Sequence, residues 1–475
     1  MRNNIELFVN GERHTVQGAE AFMTLAEYLR YQRGLTGTKV VCAEGDCGAC
    51  TVVVSRLKDS ELSAYHPINS CIAFMWQLDR AHVITVEGLK DHPVKEAMVS
   101  EHGAQCGYCT PGFVCAMAGM TEEAKREGFQ LTEKKVKNYL TGNLCRCTGY
   151  DAIIKAGAKV AASTARALSE FFDDAQLAQQ FSPSDEILIQ HDGVEVMLPT
   201  TVAQARKHAQ GRKLVAGATD LGVLFNKGKW KPQKLLSLMH IPELYEARVD
   251  GQELVVGARV SLTELEARTE RLFPEFSGLL HIFASPQVKN SGTLIGNMLN
   301  ASPIADTIPF LKVAEAQVVI QTLTGERVVN VNEFFKPGYK QLDIAPGEFV
   351  SHVRLPITAH RYRLFKISKR KDLDISAVTM AIRFELSGET FKSFSLAVGG
   401  VGPTVLRMPT VEKMALGARI DGSLMKRLAV ELDKNITPLS DVRGSDNYRR
   451  GLCRNLLLKF GDELTREFNR AEVSV

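Results

Sequence analysis

Nine of the ten cysteines in this 475-residue chain fall before Tyr150, and eight of those nine form two groups. The later group reads Gln105-Cys106-Gly107-Tyr108-Cys109-Thr110-Pro111-Gly112, then Gly142-Asn143-Leu144-Cys145-Arg146-Cys147-Thr148-Gly149-Tyr150. C-x2-C with C-x-C, each on a glycine-containing loop, lets four thiolates converge on a soft metal without side chains obstructing the backbone. That spacing alone leaves a four-thiolate zinc site open as an alternative to iron. The earlier group is more specific. Cys42-Ala43-Glu44-Gly45-Asp46-Cys47-Gly48-Ala49-Cys50, with Cys71 further on, is the C-x4-C-x2-C plus distant cysteine of plant-type [2Fe–2S] proteins. Gly45 and Gly48 allow backbone N–H groups to point at the sulfurs, and zinc sites rarely combine these two gaps in one loop.

The length suggests about three domains. A formal net charge of +4 with no long single-sign block gives no case for nucleic acid or an anionic membrane as partner. Met1 to Glu6 is polar, and no apolar run is long enough to span a bilayer, so a cytoplasmic protein is expected. In such a chain metal ligation accounts for the cysteines better than disulfides do.

Ile5 to Val9 reads as a strand, Asn10-Gly11 as a type I′ turn, and Arg13 to Val16 as the partner strand. Thr24-Leu25-Ala26-Glu27 fits a capping box opening a helix. Thr51 to Val54 and His82 to Val86 read as strands, and Cys71 as the start of an apolar helix. Helices are expected over Val94–Glu101, Pro111–Glu123, Leu131–Leu140 and Asp151–Leu168, two of them beginning just after cysteines of the later group. Ser169 to Pro183 lacks an apolar period and is expected as a linker.

Together these motifs resemble the iron–sulfur part of the molybdenum hydroxylases, the xanthine dehydrogenase and aldehyde oxidase family. The resemblance implies two [2Fe–2S] clusters. Cys42, Cys47, Cys50 and Cys71 would hold one in a ferredoxin-like β-grasp fold; Cys106, Cys109, Cys145 and Cys147 would hold the other in a helical bundle. It further implies that the second cluster lies nearest a molybdopterin, with Gln105 approaching it, and the first nearest a flavin. Cys115 and Cys453 match no ligand position and are expected as small buried side chains.

Downstream, Lys213 to Leu221 reads as an apolar strand running into a glycine turn, and Ser291 to Asn297 as a second small-residue segment before Asn300 to Asp306. Such turns can present N–H groups to a phosphate. No G-x-G-x-x-G, H-E-x-x-H or G-x-S-x-G occurs, so a Rossmann site, a zincin and a serine hydrolase lack support, and no catalytic side chain is assigned. The two segments look like the FAD-binding loops of the family's two-lobed α+β flavin domain. By that resemblance Leu214, Val215, Ala216, Gly217, Ala218, Thr219, Asp220 and Leu221 form one diphosphate-side loop. Thr293, Leu294, Ile295, Gly296 and Asn297 form the other, with Asp306, and with Phe283 beside the flavin ring. Val350 and Lys366 complete the set. The residues alone also allow Phe283 to be a core aromatic and Lys366 to belong to a solvated basic loop, Phe365 to Asp372. The last segment resembles the small C-terminal domain of the same flavin proteins, with Tyr448, Leu452 and Leu456 expected in its core.

The expected architecture is multidomain α+β: a β-grasp domain over 1–88, a helical [2Fe–2S] domain over 89–168, a linker over 169–183, a FAD-binding domain over 184–360 and a small α+β C-terminal domain over 361–475. No molybdopterin-binding domain is expected after Val475. The resemblance therefore implies the small subunit of a two-subunit bacterial xanthine dehydrogenase, working with a large molybdopterin subunit as a hetero-oligomer, with a dimer of heterodimers expected. Electrons from hypoxanthine and xanthine oxidation would pass through both clusters and FAD to NAD+. Two alternatives stand beside this: the same role in an aldehyde or other N-heterocycle hydroxylase, and a non-catalytic scaffold built on two four-cysteine zinc sites.

Overall fold

A computed structural model describes residues 1–183, 185–371 and 373–473. Ser184, where the flavin domain is expected to begin, Asp372 of the expected basic loop, and Ser474 and Val475 lie outside the described residues. Packing divides the chain into two units, Met1–Glu243 with Ala284–Gly292, and Leu244–Phe283 with Thr293–Val475.

The first unit opens with β1 (Ile5–Val9) and β2 (Glu12–Val16), joined where Asn10 (φ 51°) and Gly11 (φ 86°) supply the two positive φ angles of the expected turn. With β3 (Thr51–Lys58), β4 (Glu61–Leu62), β5 (His66–Asn69) and β6 (Ala81–Ile84) they form a six-stranded sheet, order β2-β1-β6-β3-β4, β5 pairing with β3. β1 runs parallel to β6 at its centre and the other pairs are antiparallel. The Thr24 capping box is present, and Leu25, Tyr28 and Leu29 pack into the sheet's core with Phe74 and Trp76.

Cys71 does not start a helix. A single 3-10 turn forms at Met75–Leu78, because carbonyls a helix would need are engaged elsewhere. Ser70 O accepts from Ala26 N–H, Ala73 O from Leu25 N–H, and Cys71 O from the Asn226 amide. Helices follow at Pro93–Ser100, Thr110–Glu127, Glu133–Tyr139 and Asp151–Lys159, packed around Phe113, Met117, Val136 and Ile153. The last helix stops well short of Leu168. Glu122 and Lys125, on the long Thr110–Glu127 helix, bond Leu168 N–H and Ala165 O instead, holding that segment against them.

The segment expected as a linker is ordered structure. It carries helices at Leu168–Phe171 and Asp174–Gln179, and Phe181 packs edge-on against Phe8. Ser182 donates to Glu6 through both N–H and hydroxyl, and Tyr65 donates to Asp174 at 2.6 Å. β7 (Ile187–His191), β8 (Val194–Leu198), β9 (Lys213–Val215) and β10 (Lys234–Ser237) then form a sheet of order β7-β8-β10-β9.

The second unit contains β11 (Ala247–Asp250), β12 (Glu253–Gly257), β13 (Gln317–Gln321), β14 (Glu326–Asn330) and β15 (Phe349–Pro356), all antiparallel in the order β11-β12-β15-β13-β14. A final sheet of β16 (Arg361–Ile367), β17 (Val378–Ser387), β18 (Thr390–Gly399) and β19 (Leu406–Arg407) is covered by helices Gly422–Lys434 and Asp446–Val473. Its core includes Phe384, Phe391, Cys453 and Phe460. Leu456 is buried there as expected, whereas Tyr448 is 48% exposed, because the helix turns that side outward. Among the described residues no helix is long and apolar enough to cross a membrane.

Candidate iron–sulfur and flavin sites

The early cysteine loop leaves the core just before β3. Gly45 (φ 80°) and Gly48 (φ 66°) occupy the left-handed region, and Ala43 joins them at φ 55°. Glu44 N–H lies 3.4 Å from Cys42 Sγ. Cys42 accepts from the Cys47 and Cys71 thiols, which lowers its pKa and raises theirs; Cys50 also accepts from Cys71, which lowers the pKa of Cys50. Cys50 and Cys71 are buried, and Cys42 and Cys47 are half-buried.

The later group differs in exposure. Cys106 and Cys147 are exposed, 3.3 Å apart, while Cys145 is buried and pairs with Cys109. Burial opposes ionisation of Cys145, but the Thr148 hydroxyl and N–H hold its pKa down to about 7; burial pushes Cys109 up to about 12. Tyr150, at φ 72°, accepts from Cys145 N–H through its hydroxyl at 3.0 Å. Gln105 and Tyr108 are exposed beside these thiols.

Among the described residues no three His, Cys, Asp or Glu side chains converge as one ion would require. In the earlier quartet Cys42 lies against both Cys47 and Cys71, and Cys71 also against Cys50; in the later, Cys106 lies against Cys147 and Cys109 against Cys145. The left-handed glycines of the earlier loop and the N–H groups aimed at Cys42 and Cys145 would suit iron–sulfur clusters, whose sulfurs accept such bonds.

The two loops touch. Leu144 N–H donates to Cys47 O at 3.0 Å, and Asn143 Nδ2 donates to Gly48 O at 3.1 Å. Asn226, at the end of the helix Thr219–Asn226, donates to Ala43 O and Cys71 O, both at 2.8 Å. A Cβ on Gly222 of that helix would lie 2.4 Å from Ile72 O. Spacing gave no sign of Asn143 or Asn226, since an asparagine acting through backbone carbonyls leaves no pattern.

The turn over Leu214–Leu221 joins β9 to that helix. Gln77 Nε2 donates to Ala216 O (3.5 Å) and Gly217 O (3.2 Å). In a trans peptide C=O and N–H point oppositely, so the N–H groups of Gly217 and Ala218 face away from Gln77, as an anion-binding nest requires. The left-handed residue is Ala218, at φ 58°, and not Gly217. Gly217 is needed for space, because a Cβ there would lie 2.0 Å from Ser291 O.

In the second unit Thr293 caps the helix Leu294–Asn300, accepting from Gly296 N–H at 3.0 Å, so Leu294 to Asn297 form a helical turn and not an open loop. Asn297 accepts from Thr307 at 2.7 Å. Asp306 is buried and accepts from Ser376, Thr379 and Lys366. Lys366 is itself buried and spends its three protons on Asp306 (2.7 Å), Asp374 O (2.8 Å) and Ser376 (2.7 Å), leaving none for a ligand. A solvated loop does not describe it. Val350 is a buried residue of β15, and Phe283 is half-buried after the helix Pro274–His281.

Four family models match in sequence order: a 2Fe-2S iron-sulfur cluster binding domain over residues 7–75, a [2Fe-2S] binding domain over 85–158, the FAD binding domain in molybdopterin dehydrogenase over 192–358, and the CO dehydrogenase flavoprotein C-terminal domain over 363–464. Together they define an iron–sulfur flavoprotein. Xanthine dehydrogenase of Drosophila pseudoobscura pseudoobscura is 30% identical over 99% of this chain and 40% of its own length; xanthine dehydrogenase 1 of Arabidopsis thaliana is 28% identical with the same coverage. The chain thus spans about 40% of the length of these relatives. A carbon monoxide dehydrogenase chain from Hydrogenophaga pseudoflava shares the fold over 56% of this chain and 95% of its own, at TM-score 0.53 and 24% identity. The chain belongs to the molybdenum hydroxylase family, as its electron-transferring iron–sulfur and FAD part.

Proposed function

We propose that this chain carries electrons from purine hydroxylation to NAD+: a large molybdopterin partner converts hypoxanthine to xanthine and xanthine to urate, and this chain takes the electrons onward. The observation that carries the reading is the direct hydrogen bonding of the two paired-thiol loops to each other, with Asn226 joining the earlier loop to the helix of the 214–221 turn. Bound [2Fe–2S] clusters and FAD supply one-electron and two-electron redox chemistry. Cys42, Cys47, Cys50 and Cys71 hold one cluster, and Cys106, Cys109, Cys145 and Cys147 the other.

Leu214 to Leu221 bind FAD through the outward N–H groups of Gly217 and Ala218, and Thr293 to Asn297 through the start of the helix Leu294–Asn300. Phe283 offers apolar surface to the flavin, and Val350, buried in β15, supports the site from its strand. Asp306 acts from its place among Ser376, Thr379 and Lys366, which orients it. The exposed pair Cys106 and Cys147, with Gln105 beside them, forms the docking face for the molybdopterin partner in a hetero-oligomer, built as a dimer of heterodimers. Ten free cysteines suit a reducing, cytoplasmic setting.

Xanthine relatives that align along 99% of the chain favour a purine over an aldehyde or another heterocycle. Combining the chain with its large subunit and assaying xanthine-dependent NADH formation tests the reading. Activity with aldehydes but not xanthine would replace the substrate.

A further inference from the structure

A buried polar knot lies between the two cysteine loops. Gln287 is 1% exposed, and its Nε2 donates to Asn143 Oδ1 at 2.7 Å and to Thr51 Oγ1 at 3.3 Å. Asn143 and the Thr51 hydroxyl both donate to one acceptor, Gly48 O, at 3.1 and 2.7 Å. The four groups close a ring on the Cys47–Cys50 loop. One residue beyond Asn143, Leu144 N–H donates to Cys47 O, so the path from Cys47 to Cys145 crosses a single hydrogen bond. The backbones here approach as closely as glycine allows. A Cβ on Gly48 would stand 2.3 Å from Gly142 O, and one on Gly142 would stand 2.3 Å from Gln287 Oε1.

We propose that Gln287 is a positioning residue for electron transfer between the two quartets: by holding Asn143 and Thr51 on Gly48 O it fixes the Cys47–Leu144 hydrogen bond that joins the ligand loops. The proposal rests on reading both quartets as [2Fe–2S] ligands. The step is a one-electron exchange between the groups the quartets hold, one oxidised as the other is reduced, with no bond made or broken. Its rate depends steeply on the separation and on the continuity of the bonds between them. Both Gln287 amide protons serve the ring, and an apolar side chain would leave Asn143 Oδ1 buried without that donor. Asn143 would then turn, and the loops would lose their fixed spacing.

The test uses the full chain carrying iron, sulfide and FAD. Gln287→Met keeps length and bulk without the amide; Thr51→Val removes the hydroxyl and leaves the Gln287–Asn143 bond. After pulsed reduction, freeze-quenched paramagnetic resonance follows equilibration between the two cluster signals, and the fully reduced sample reports their mutual magnetic broadening. Gln287→Met is expected to retain both signals and flavin, to equilibrate severalfold more slowly, and to show altered broadening. Thr51→Val is expected to fall between it and the unaltered chain. Unchanged rate and broadening in Gln287→Met would overturn the proposal. If that variant loses a signal, the same two readouts on Thr51→Val decide, a change supporting the proposal and no change overturning it. An unaltered chain with one signal or none would instead remove the two-quartet reading itself.

Discussion

Cys47 carries two roles on one residue, as a thiol in the earlier quartet and as the carbonyl that accepts from Leu144. Cys47→Ser keeps the carbonyl and removes only the thiolate. Paramagnetic resonance of the reduced variant should show the earlier quartet's signal abolished and the later one's retained; loss of both in a folded chain would mean that the ligands are wrongly divided. Gly217 tests a different constraint. A methyl group there meets Ser291 O at 2.0 Å, so Gly217→Ala should cost about 1–3 kcal/mol through forced backbone movement. Flavin content should fall while iron content holds, because the turn that moves is the one assigned to FAD. Flavin counts and thermal unfolding check this, and an unchanged pair of values would free Gly217 of the role. Residue chemistry was legible where it repeats at short range. The cysteine gaps and the glycines between them announce a metal loop by themselves. The hydrogen bond from Gln287 to Asn143 spans 144 positions and follows no motif, so only the fold reveals it.

Elements whose ends are set by local chemistry matched expectation, and those set by tertiary bonds did not. The Asn10-Gly11 turn and the Thr24-Glu27 capping box need only neighbours in sequence, and both are present. The helix expected at Cys71 loses its carbonyls to Leu25, Ala26 and Asn226, and the Asp151 helix ends early because Glu122 and Lys125 take the backbone beyond it. Ser169 to Pro183 looked like a connector because it lacks a period, yet Asp174, Phe181 and Ser182 each find a partner in the first sheet's domain. The helix Pro93–Ser100 carries a pH-dependent weakness of its own. His92 caps it by accepting from Val94 N–H through Nδ1, and burial alone depresses its pKa to about 4, with Nε2 lacking a partner. A folded pKa below the unfolded value of about 6.5 means that the unfolded chain binds the extra proton. The contribution is therefore whole above about pH 6.5 and is lost as pH falls toward 4. The loss should reach about 2 kcal/mol at pH 5. His92→Asn, which keeps a capping acceptor, should flatten stability between pH 5 and 7; denaturant titrations at both pH values check it, and an equal slope in both proteins would contradict the assignment.

At the scale of the whole molecule, the four family models account for the order of domains, and the curated relatives extend well beyond the part this chain matches. Division of labour follows from the proposed function. This chain alone should accept hydride from NADH and pass electrons to an artificial dye, yet hydroxylate no purine. Gln105→Glu, on the exposed face beside Cys106, should weaken assembly with the large subunit and spare the NADH-to-dye activity, because an unpaired charge in a desolvated interface is costly. Equal loss of both activities in a folded variant would refute that division. The central claim is narrower than any of these: two separate quartets, one in a β-sheet loop and one among helices, hold two different [2Fe–2S] clusters. Differences in burial and in hydrogen bonding to sulfur give such clusters different electronic signatures. Low-temperature paramagnetic resonance of the reduced chain should therefore show two distinct signals of equal intensity, and a single signal, or a silent protein containing zinc, would contradict the account.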